Sequence, residues 1–547
     1  MLSAKRGEGG FQVGNRESAQ RGVCSGRRRA LVLAICCMSP LIVGMDNTIV
    51  NVALPAIRRE LHASVSALQW TVDAYTVVLA SLLILAGSTG DRVGRRRTFQ
   101  AGLILFTLGS LLCSLARDAG SLIVFRMVQA VGGSMLNPVA MSIISNTFTD
   151  TRERARAIGV WGATGGISMT LGPFVGGALV DAVGWRAIFW INIPVGLAAL
   201  VLTALFVPES KAARLRRFDP VGQALVIVTL ASLTYAIIEG PGMRWGAPIL
   251  GLFGLTALAV AALLWYEPRR ADPLLNLEFF RSVPFSGANV LAVAGFAAQG
   301  GFLFLNALYL QDVRGFSPFE AGVRTVPMAL MIVLFAPISG RIVGSRGPRV
   351  PLLVGGIAIG ASGLMLTALS RDTPTRWLLA SYVIFGVGFG MFNTPITNTA
   401  VSGMPRSQAG LTTAVASTSR QVGTSLGVAV VGSVVTARRA GSLETSLSAA
   451  SHIGGWIITG CGACVLATGI LTTTRWARAT AERTASHFAP DQAEQRVIST
   501  AGGVAARYPR PGRHRPPRRD PLPVVRRVRP EARHRRPRPR QCEDHDL

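Results

Sequence analysis

The sequence predicts an all-α integral membrane protein with fourteen membrane-spanning helices. Of the 547 residues, 49% are hydrophobic and only 15% are charged, and the mean hydropathy is +0.40. A helix that spans a bilayer needs about 20 mostly apolar residues, and the chain contains such a stretch many times over. The 60 glycines fit the same interpretation, because small residues let membrane helices approach closely.

The predicted spans are separated by short polar or basic connections. They cover residues 30–49, 68–89, 99–115, 122–144, 158–180, 187–207, 221–238, 248–265, 283–309, 321–338, 351–369, 377–396, 411–435 and 453–473. The two middle spans, 221–238 and 248–265, have basic flanks and separate six helices from six helices. The expected organisation is a basic cytoplasmic leader 1–29, an N-terminal six-helix bundle 30–207, two extra helices 208–282, a C-terminal six-helix bundle 283–474 and an Arg/Pro-rich disordered cytoplasmic tail 475–547.

The two groups of six helices share a short internal repeat. GDRVGRRR at residues 90–97 lies between the second and third helices of the first group, and GRIVGSRG at 340–347 lies at the same place in the second group. Many secondary transporters are built from repeats of this kind, with the substrate site between the two halves.

Lysine and arginine concentrate in alternate connections and in the tail. Because cytoplasmic loops carry the excess of these residues, the alternation predicts that both termini are cytoplasmic. The net charge of +28 then follows from topology and tail, and no nucleic-acid partner is expected. Residues 1–29 are expected to be a retained leader, since no small-residue cleavage site follows. For residues 475–547, an inert or out-of-frame segment and an arm that contacts acidic lipids both remain open.

Ionisable residues inside the predicted spans are candidate functional groups. Asp46 lies in MDNTIVNVALP, Asp73 in LQWTVDAYTVVLA and Arg126 in LIVFRMVQAVGG. A charge at membrane depth costs about 2.5–3.5 kcal/mol on insertion scales, so such residues usually serve a function. Burial favours the neutral form of a carboxyl group and a nearby arginine favours the charged form, so an aspartate near Arg126 is a candidate for proton exchange. A purely structural role for either aspartate remains open, as does the role of Arg420 in the span 411–435.

Two glycine-containing stretches stand out from the apolar background. The connection GSTGDRVGRRR combines glycines at a tight turn with an acidic residue and several basic ones; its candidate residues are Gly87, Asp91, Arg92, Gly94, Arg95 and Arg96. The fifth span contains LGPFVGG, in which small residues make a flat packing face and a proline supplies a kink; its candidates are Gly172, Pro173, Gly176 and Gly177.

These stretches resemble the major facilitator superfamily, and within it the fourteen-helix drug:proton antiporters. GSTGDRVGRRR is similar to the signature loop GxLaDrxGrk, LGPFVGG to the antiporter motif GxxxGPxxGG, and LIVFRMVQAVGG to RxxQGxG, with Ala130 where a glycine is usual. MDNTIVNVALP, WRAIFWINIPVG and YLQDVRGFSPFEAG resemble that subfamily as well. The resemblance extends from residue 30 to about residue 475.

The resemblance implies a major facilitator fold, with two six-helix bundles plus two extra central helices. It implies that residues 87–97 form a conformational latch, and that the protein exports lipophilic or amphipathic drugs across the bacterial cell membrane in exchange for protons. The expected partners are a lipophilic small molecule, protons and membrane lipids, with no cofactor and no metal. Alternatives are an exporter of one endogenous metabolite or lipid, and a membrane sensor that transports nothing.

Neither an ATP-driven pump nor an enzyme is expected. Neither of the two lysines, Lys5 and Lys211, follows the spacing GxxxxGK[ST] of a phosphate-binding loop. The sequence also offers no cluster of histidines, cysteines or carboxylates with the spacing that catalysis or metal binding at one membrane face would need.

Overall fold

The structure is a computed structural model that describes residues 9–211, 218–270, 273–274, 276–367, 369–401, 409–437 and 443–487. Residues Met1–Pro490 form one compact unit, to which all described residues belong. Every regular element within those ranges is a helix, which confirms the predicted all-α fold class.

The described part of the chain contains sixteen α-helices. They are α1 (Gly9–Leu61), α2 (Val65–Val93), α3 (Arg95–Ser114), α4 (Ala119–Thr147), α5 (Thr151–Ala182), α6 (Ala187–Trp190), α7 (Asn192–Phe206), α8 (Pro220–Glu239), α9 (Ala247–Tyr266), α10 (Val283–Leu308), α11 (Pro318–Arg346), α12 (Arg349–Leu366), α13 (Thr375–Val401), α14 (Ala409–Ala437), α15 (Leu443–Thr472) and α16 (Arg475–His487). Short 3₁₀ turns follow α9 and precede α10, and the π-helical turn Tyr309–Val313 follows α10.

Thirteen candidate membrane spans meet the length and apolarity expected of a transmembrane helix within the described residues. The remaining predicted span, 411–435, lies in α14, which is long enough but carries many serine and threonine residues and Arg420. Its surroundings explain this composition: α14 packs against α2 and α10, and Gly423 lies directly against the backbone of Val293. A membrane helix enclosed by protein does not need to be apolar on every face.

Several boundaries differ from the predicted ones. The predicted span 187–207 is divided at Ile191 into α6 and α7. The stretch 87–97, predicted as a loop, is mostly helical: α2 continues to Val93, α3 begins at Arg95, and Gly94 between them has φ of 127°. This value lies in the region that favours glycine, so Gly94 alone makes the turn.

The prediction that disorder begins at residue 475 is wrong for the first residues of the tail. Residues Arg475–His487 form α16, which buries Ala477, Ala481 and Thr484. These small residues recur at helical spacing and pack against the rest of the unit, and Val283 N donates a 3.0 Å hydrogen bond to the hydroxyl of Thr480. Residues 488–547 of the predicted tail lie outside the described residues.

Helices α1–α7 pack mainly with one another, and so do α10–α15. The two groups meet along two seams, α5 against α11 and α2 against α14. Helix α8 packs beside α2 and α14 at the second seam, with α9 on its other side. We call the end of the unit that contains the α1–α2 connection the His62 end, and the end that contains the α2–α3 connection the Gly94 end. The predicted domain boundaries themselves stay a prediction.

Candidate functional site

A buried ion pair joins α1 to α4. Arg126 Nη1 donates a 2.6 Å hydrogen bond to Asp46 Oδ2, and the two side chains are 1% and 0% exposed. Gln129, one turn after Arg126, donates from Nε2 to Asp46 Oδ1 at 2.8 Å and accepts from Arg126 Nη1 at 2.7 Å. Two of the three predicted ionisable site residues therefore form one closed network.

Neutral polar groups complete the coordination of this ion pair. Asn192 on α7 donates a 3.1 Å hydrogen bond to Asp46 Oδ1 and another of the same length to the hydroxyl of Ser110 on α3. The Arg126 guanidinium lies 4.1 Å from the ring centroid of Tyr75, and its Nε donates to the carbonyl oxygen of Thr71 at 3.2 Å. The Asp46 carboxylate thus receives three donors, the environment that a buried ionised carboxylate requires.

Asp73 lies apart from this network and has a different environment. Its side chain is 0% exposed on α2. Its Oδ1 accepts a long 3.4 Å hydrogen bond from the Thr76 hydroxyl, while Oδ2 has no hydrogen-bond partner in the described part of the chain. The Ser425 hydroxyl on α14 lies close to the carboxyl group but outside hydrogen-bond geometry. Within the described ranges, Asp73 forms no ion pair, so it is a carboxyl group without a counter-charge at the α2–α14 seam.

The LGPFVGG stretch of α5 packs in two directions. A Cβ atom at Gly172 would lie 2.0 Å from the Thr48 hydroxyl oxygen of α1, and one at Gly176 would lie 2.6 Å from Ile49 Cγ1. A Cβ atom at Gly177 would lie 2.4 Å from the carbonyl oxygen of Pro318 on α11.

The proline of this stretch takes part in the same contact. The carbonyl oxygen of Pro173 lies against Gly322 of α11, where a Cβ atom would approach it to 2.5 Å. The small residues and the proline therefore bring α5 into backbone contact with α11 at the first seam.

The Gly94 connection is held by a residue that the sequence interpretation did not include. Glu209 accepts hydrogen bonds from the backbone N–H groups of Arg96 and Arg97, at 3.1 and 3.3 Å. This carboxylate therefore caps the N-terminus of α3, where negative charge is favourable. Asp91 instead accepts a 2.9 Å hydrogen bond from Arg95 Nη2 in an i,i+4 ion pair.

Two further predicted latch arginines contact neighbouring segments. Arg96 Nη2 donates to the carbonyl oxygen of Ala204 at the end of α7, at 2.7 Å. The guanidinium of Arg92 lies 5.9 Å from the ring centroid of Phe218, which precedes α8. A Cβ atom at Gly87 would lie 3.6 Å from Pro138 of α4, an ordinary contact.

Polar contacts close the His62 end between the two groups of helices. Arg58 at the end of α1 forms a 3.0 Å ion pair with Asp312 in the π-helical turn. The neighbouring Gln311 donates to the carbonyl oxygen of Val52 at 2.8 Å. The hydroxyl of Ser317 lies 3.1 Å from Asp181 Oδ2. Together these contacts join α1 and α5 to the segment between α10 and α11.

No group of three histidine, cysteine, aspartate or glutamate side chains that could hold a metal ion occurs among the residues that the structure describes. The buried charged site consists instead of protein side chains: a carboxylate, a guanidinium and two amides. The residues that sequence reasoning missed, Ser110, Asn192, Tyr75 and Glu209, are polar positions whose partners lie on distant parts of the chain.

A family model of the Major Facilitator Superfamily matches residues 36–428. The matched region contains the ion pair, Asp73, the Gly94 connection and the packing face of α5.

The chain belongs to the major facilitator superfamily.

Among similar members of this superfamily are proteins named for resistance and export. The chain is 36% identical over 425 residues to the multidrug resistance protein Stp of Mycobacterium tuberculosis, covering 78% of this chain and 79% of the relative. It is 37% identical over 416 residues to the tetracenomycin C resistance and export protein of Streptomyces glaucescens, covering 76% and 77%. It is 34% identical over 455 residues to the puromycin resistance protein pur8 of Streptomyces alboniger, covering 82% and 90%.

Two solved structures share the major facilitator fold with this chain. A bacterial homologue of the human lysosomal transporter Spinster, in an inward-facing and occupied conformation, matches with a TM-score of 0.58 and 18% identity. That match covers 83% of this chain and 97% of the other. A POT family transporter in complex with a thioalcohol-conjugated peptide matches with a TM-score of 0.60 and 16% identity, covering 82% and 97%.

Proposed function

We propose that this protein exports amphipathic small molecules across the bacterial cell membrane in exchange for protons, by alternating access. The observation that carries the proposal is the contrast between two buried carboxyl groups: Asp46 is paired with Arg126, and Asp73 has no counter-charge among the described residues. An antiporter needs a group that accepts a proton in one conformation and releases it in another.

Asp73 has the environment of a group that holds a proton in the conformation described here. An ionised carboxylate buried without a partner is strongly disfavoured, so such a group takes up a proton instead. Asp73 lies at the seam between α2 and α14, which belong to different groups of helices. Opening of this seam would hydrate the carboxyl group, favour its ionised form and release the proton.

The Asp46–Arg126 pair is assigned a different part in the cycle. With three donors on the carboxylate, protonation of Asp46 would break an ion pair and leave a buried guanidinium uncompensated. In this conformation the pair therefore stays charged and fixes α1 against α4. Movement of α1 relative to α4 would separate the pair.

The packing faces around these carboxyl groups supply the mechanical part of the proposal. The latch role proposed for residues 87–97 rests on the contacts of Glu209 with Arg96 and Arg97, which join α3 to the segment after α7. The glycine face of α5 contacts both α1 and α11, so displacement along the first seam would move α1 as well. The proposed topology places both termini and the Gly94 end in the cytoplasm, with membrane lipids around the helices.

The names of the relatives support a drug or an antibiotic as the substrate, and they differ in whether they name many compounds or one. Stp is named for multidrug resistance, whereas the tetracenomycin C and puromycin proteins are each named for one compound. We propose export of drugs or antibiotics without covalent chemistry. Export of a single compound is the narrower alternative.

Transport into liposomes tests the proposal directly. Purified protein is reconstituted with a pH-sensitive dye inside the vesicles, a proton gradient is imposed and lipophilic cations and antibiotics are added. Substrate-dependent proton movement is expected in the intact protein and is expected to be lost in Asp73→Asn and Arg126→Ala. Asp118→Asn is the matched control, because Asp118 caps α4 outside the spans and asparagine caps equally well.

Asp118 suits this control because its ionisation state is well defined. Hydrogen bonds from the backbone N–H and the hydroxyl of Ser121 hold the pKa of Asp118 below its usual range, so it stays ionised and exposed throughout the experiment. If Asp73→Asn moves protons as fast as the Asp118→Asn control, the assignment of Asp73 is wrong.

A further inference from the structure

A second uncompensated charge lies in the interior, on the other side of the α2–α14 seam. Arg420 is on α14, where its Nη2 donates a 2.6 Å hydrogen bond to the hydroxyl of Thr397 on α13. Its Nε is buried and has no hydrogen-bond partner among the residues that the structure describes. Within the described ranges, no carboxylate forms an ion pair with this guanidinium, in contrast to Arg126.

The Arg420 side chain lies deep among helices, and its Nε atom is buried. Arg420 falls between buried and exposed, as do Thr397 and Asn393 on α13. The hydrogen bond of Arg420 to α13 and its contact with α10 place the side chain between helices rather than in lipid. Arg420 also lies 5.7 Å from the ring centroid of Phe296 on α10, which fixes the side chain from the opposite direction.

The neighbouring polar groups are also incompletely bonded. Asn393 lies one turn before Thr397, on the same face of α13, and its side-chain oxygen is buried without a partner. Gln421, next to Arg420, has an unpartnered side-chain oxygen as well. Within the described structure the unused groups are therefore one donor, the Arg420 Nε–H, and two acceptors, the amide oxygens of Asn393 and Gln421.

We propose that Arg420 and Thr397 form a subsite that binds an anionic oxygen of the transported molecule. The ligand class is an aromatic amphiphile that carries a carboxylate, phenolate or enolate. A guanidinium presents planar paired donors that match such oxygens, and charge-assisted hydrogen bonds are the strongest of this type. A membrane protein retains a costly interior cation where it meets a ligand of opposite charge. This assignment rests on the proposed export function and names the substrate class for it.

The site and the proton carrier have different contacts. Arg420 and Asp73 lie on opposite sides of the same seam: the Asp73 carboxyl group lies close to Ser425, whereas the guanidinium donates to Thr397. Binding of an anion at Arg420 would therefore neutralise the charge on α14 without direct contact with the proton on α2, and it would release that proton only through opening of the seam. Substrate binding and proton binding then affect each other because both depend on whether the α2–α14 seam is closed.

A matched pair of probes tests the subsite. We would measure binding of 1-pyrenebutyrate and of its neutral amide to the purified full chain in detergent, by fluorescence anisotropy and without a proton gradient. The intact protein should bind the carboxylate more tightly than the amide. Arg420→Gln should weaken carboxylate binding about 10- to 100-fold, the range for a hydrogen bond to a charged group, and leave amide binding unchanged.

Two further variants keep the test decisive. Arg324→Gln is the control, because Arg324 is also on a membrane helix but stacks on Phe316 at the His62 end; it should bind both probes like the intact protein. Thr397→Val keeps the charge of Arg420 and removes the hydroxyl group that orients it. It should therefore weaken binding of the carboxylate probe and leave binding of the amide unchanged. If Arg420→Gln does not fold, Thr397→Val replaces it as the test of the subsite.

Failure of the subsite and failure of the export function give different results. The subsite proposal is contradicted if the intact protein binds both probes with equal affinity. It is also contradicted if Arg420→Gln lowers the affinity for both probes equally. Asp73→Asn should bind the carboxylate like the intact protein, since no proton gradient is present. Absence of proton-coupled transport in the intact protein, with its carboxylate preference retained, would therefore contradict the coupling proposal and leave the subsite standing.

Discussion

The interior charges of this protein differ most in how they are neutralised. Asp46 receives donors from Arg126, Gln129 and Asn192, while Asp73 and Arg420 have no charged partner among the described residues. Because each unpartnered charge in a membrane interior is costly, residues with incomplete partners are the ones expected to change state during transport. A complete network is expected to position helices instead.

A double-mutant cycle tests whether the Asp46–Arg126 pair is a structural unit. Arg126→Gln should lower the free energy of unfolding by about 3–5 kcal/mol, because it leaves a buried carboxylate without its cation. Asp46→Asn should cost a similar amount. The double variant should cost clearly less than the sum, since both charges are then absent. Thermal unfolding of the purified variants in detergent measures this, and additive losses would contradict the assignment.

At the scale of helices, the face of α5 is defined by close backbone approach. Gly177→Ala places a methyl group 2.4 Å from the carbonyl oxygen of Pro318, so α5 and α11 must separate locally. Overpacking of this kind costs about 1–3 kcal/mol. Both stability and transport rate should fall in this variant.

The control for that prediction lies on the same helix. Nothing lies within 4 Å of a Cβ atom built at Gly159, so Gly159→Ala meets no obstacle. It should leave transport unchanged and raise stability slightly, because alanine is favoured over glycine in helices by about 0.5–1 kcal/mol. If both alanine variants behave alike, the packing face does not depend on these glycines.

The N-terminus of α3 provides a further test at this scale. Glu209→Ala removes the acceptor of two backbone N–H groups and a negative charge at a helix N-terminus. The expected loss is about 0.5–2 kcal/mol in unfolding free energy, the range for removing a cap. Glu482→Ala, on the exposed face of α16, should change little. Equal effects of the two substitutions in thermal unfolding would argue against the cap.

For the whole molecule, closure of the His62 end depends on the ion pair between Arg58 and Asp312. Arg58→Asp or Asp312→Arg alone places like charges together and should favour opening at this end, which lowers the transport rate. The exchanged double variant restores opposite charges and should recover most of the rate. Transport in liposomes measures all three, and a double variant as slow as the single ones would rule out a charge-based closure.

Much of the fold could be predicted because the bilayer imposes a length and an apolarity on each helix. The exceptions have physical causes. Helix α14 is enclosed by other helices and can therefore be polar. Helix α16 buries a face of small residues, which the high arginine content of the segment does not indicate. Hydropathy does not report which helices contact each other.

The site was predicted in part, for a similar reason. Asp46, Asp73 and Arg126 stand out because charge is rare in membrane helices. Their pairing could not be predicted, since Asp46 and Asp73 occur in equally apolar surroundings. Ser110 and Asn192 are common polar residues in such helices, and only the packing of α3 and α7 against α1 and α4 reveals their role.

The most direct test of proton exchange at Asp73 is a count of the protons released when substrate binds. A drug for which a relative is named, tetracenomycin C or puromycin, is added to the purified protein in weakly buffered solution with a pH dye. The protons released per bound drug molecule are counted for the intact protein, Asp73→Asn and Asp118→Asn. We expect release from the intact protein and from Asp118→Asn, and none from Asp73→Asn. Equal release from Asp73→Asn, with unchanged substrate binding, would contradict the central proposal.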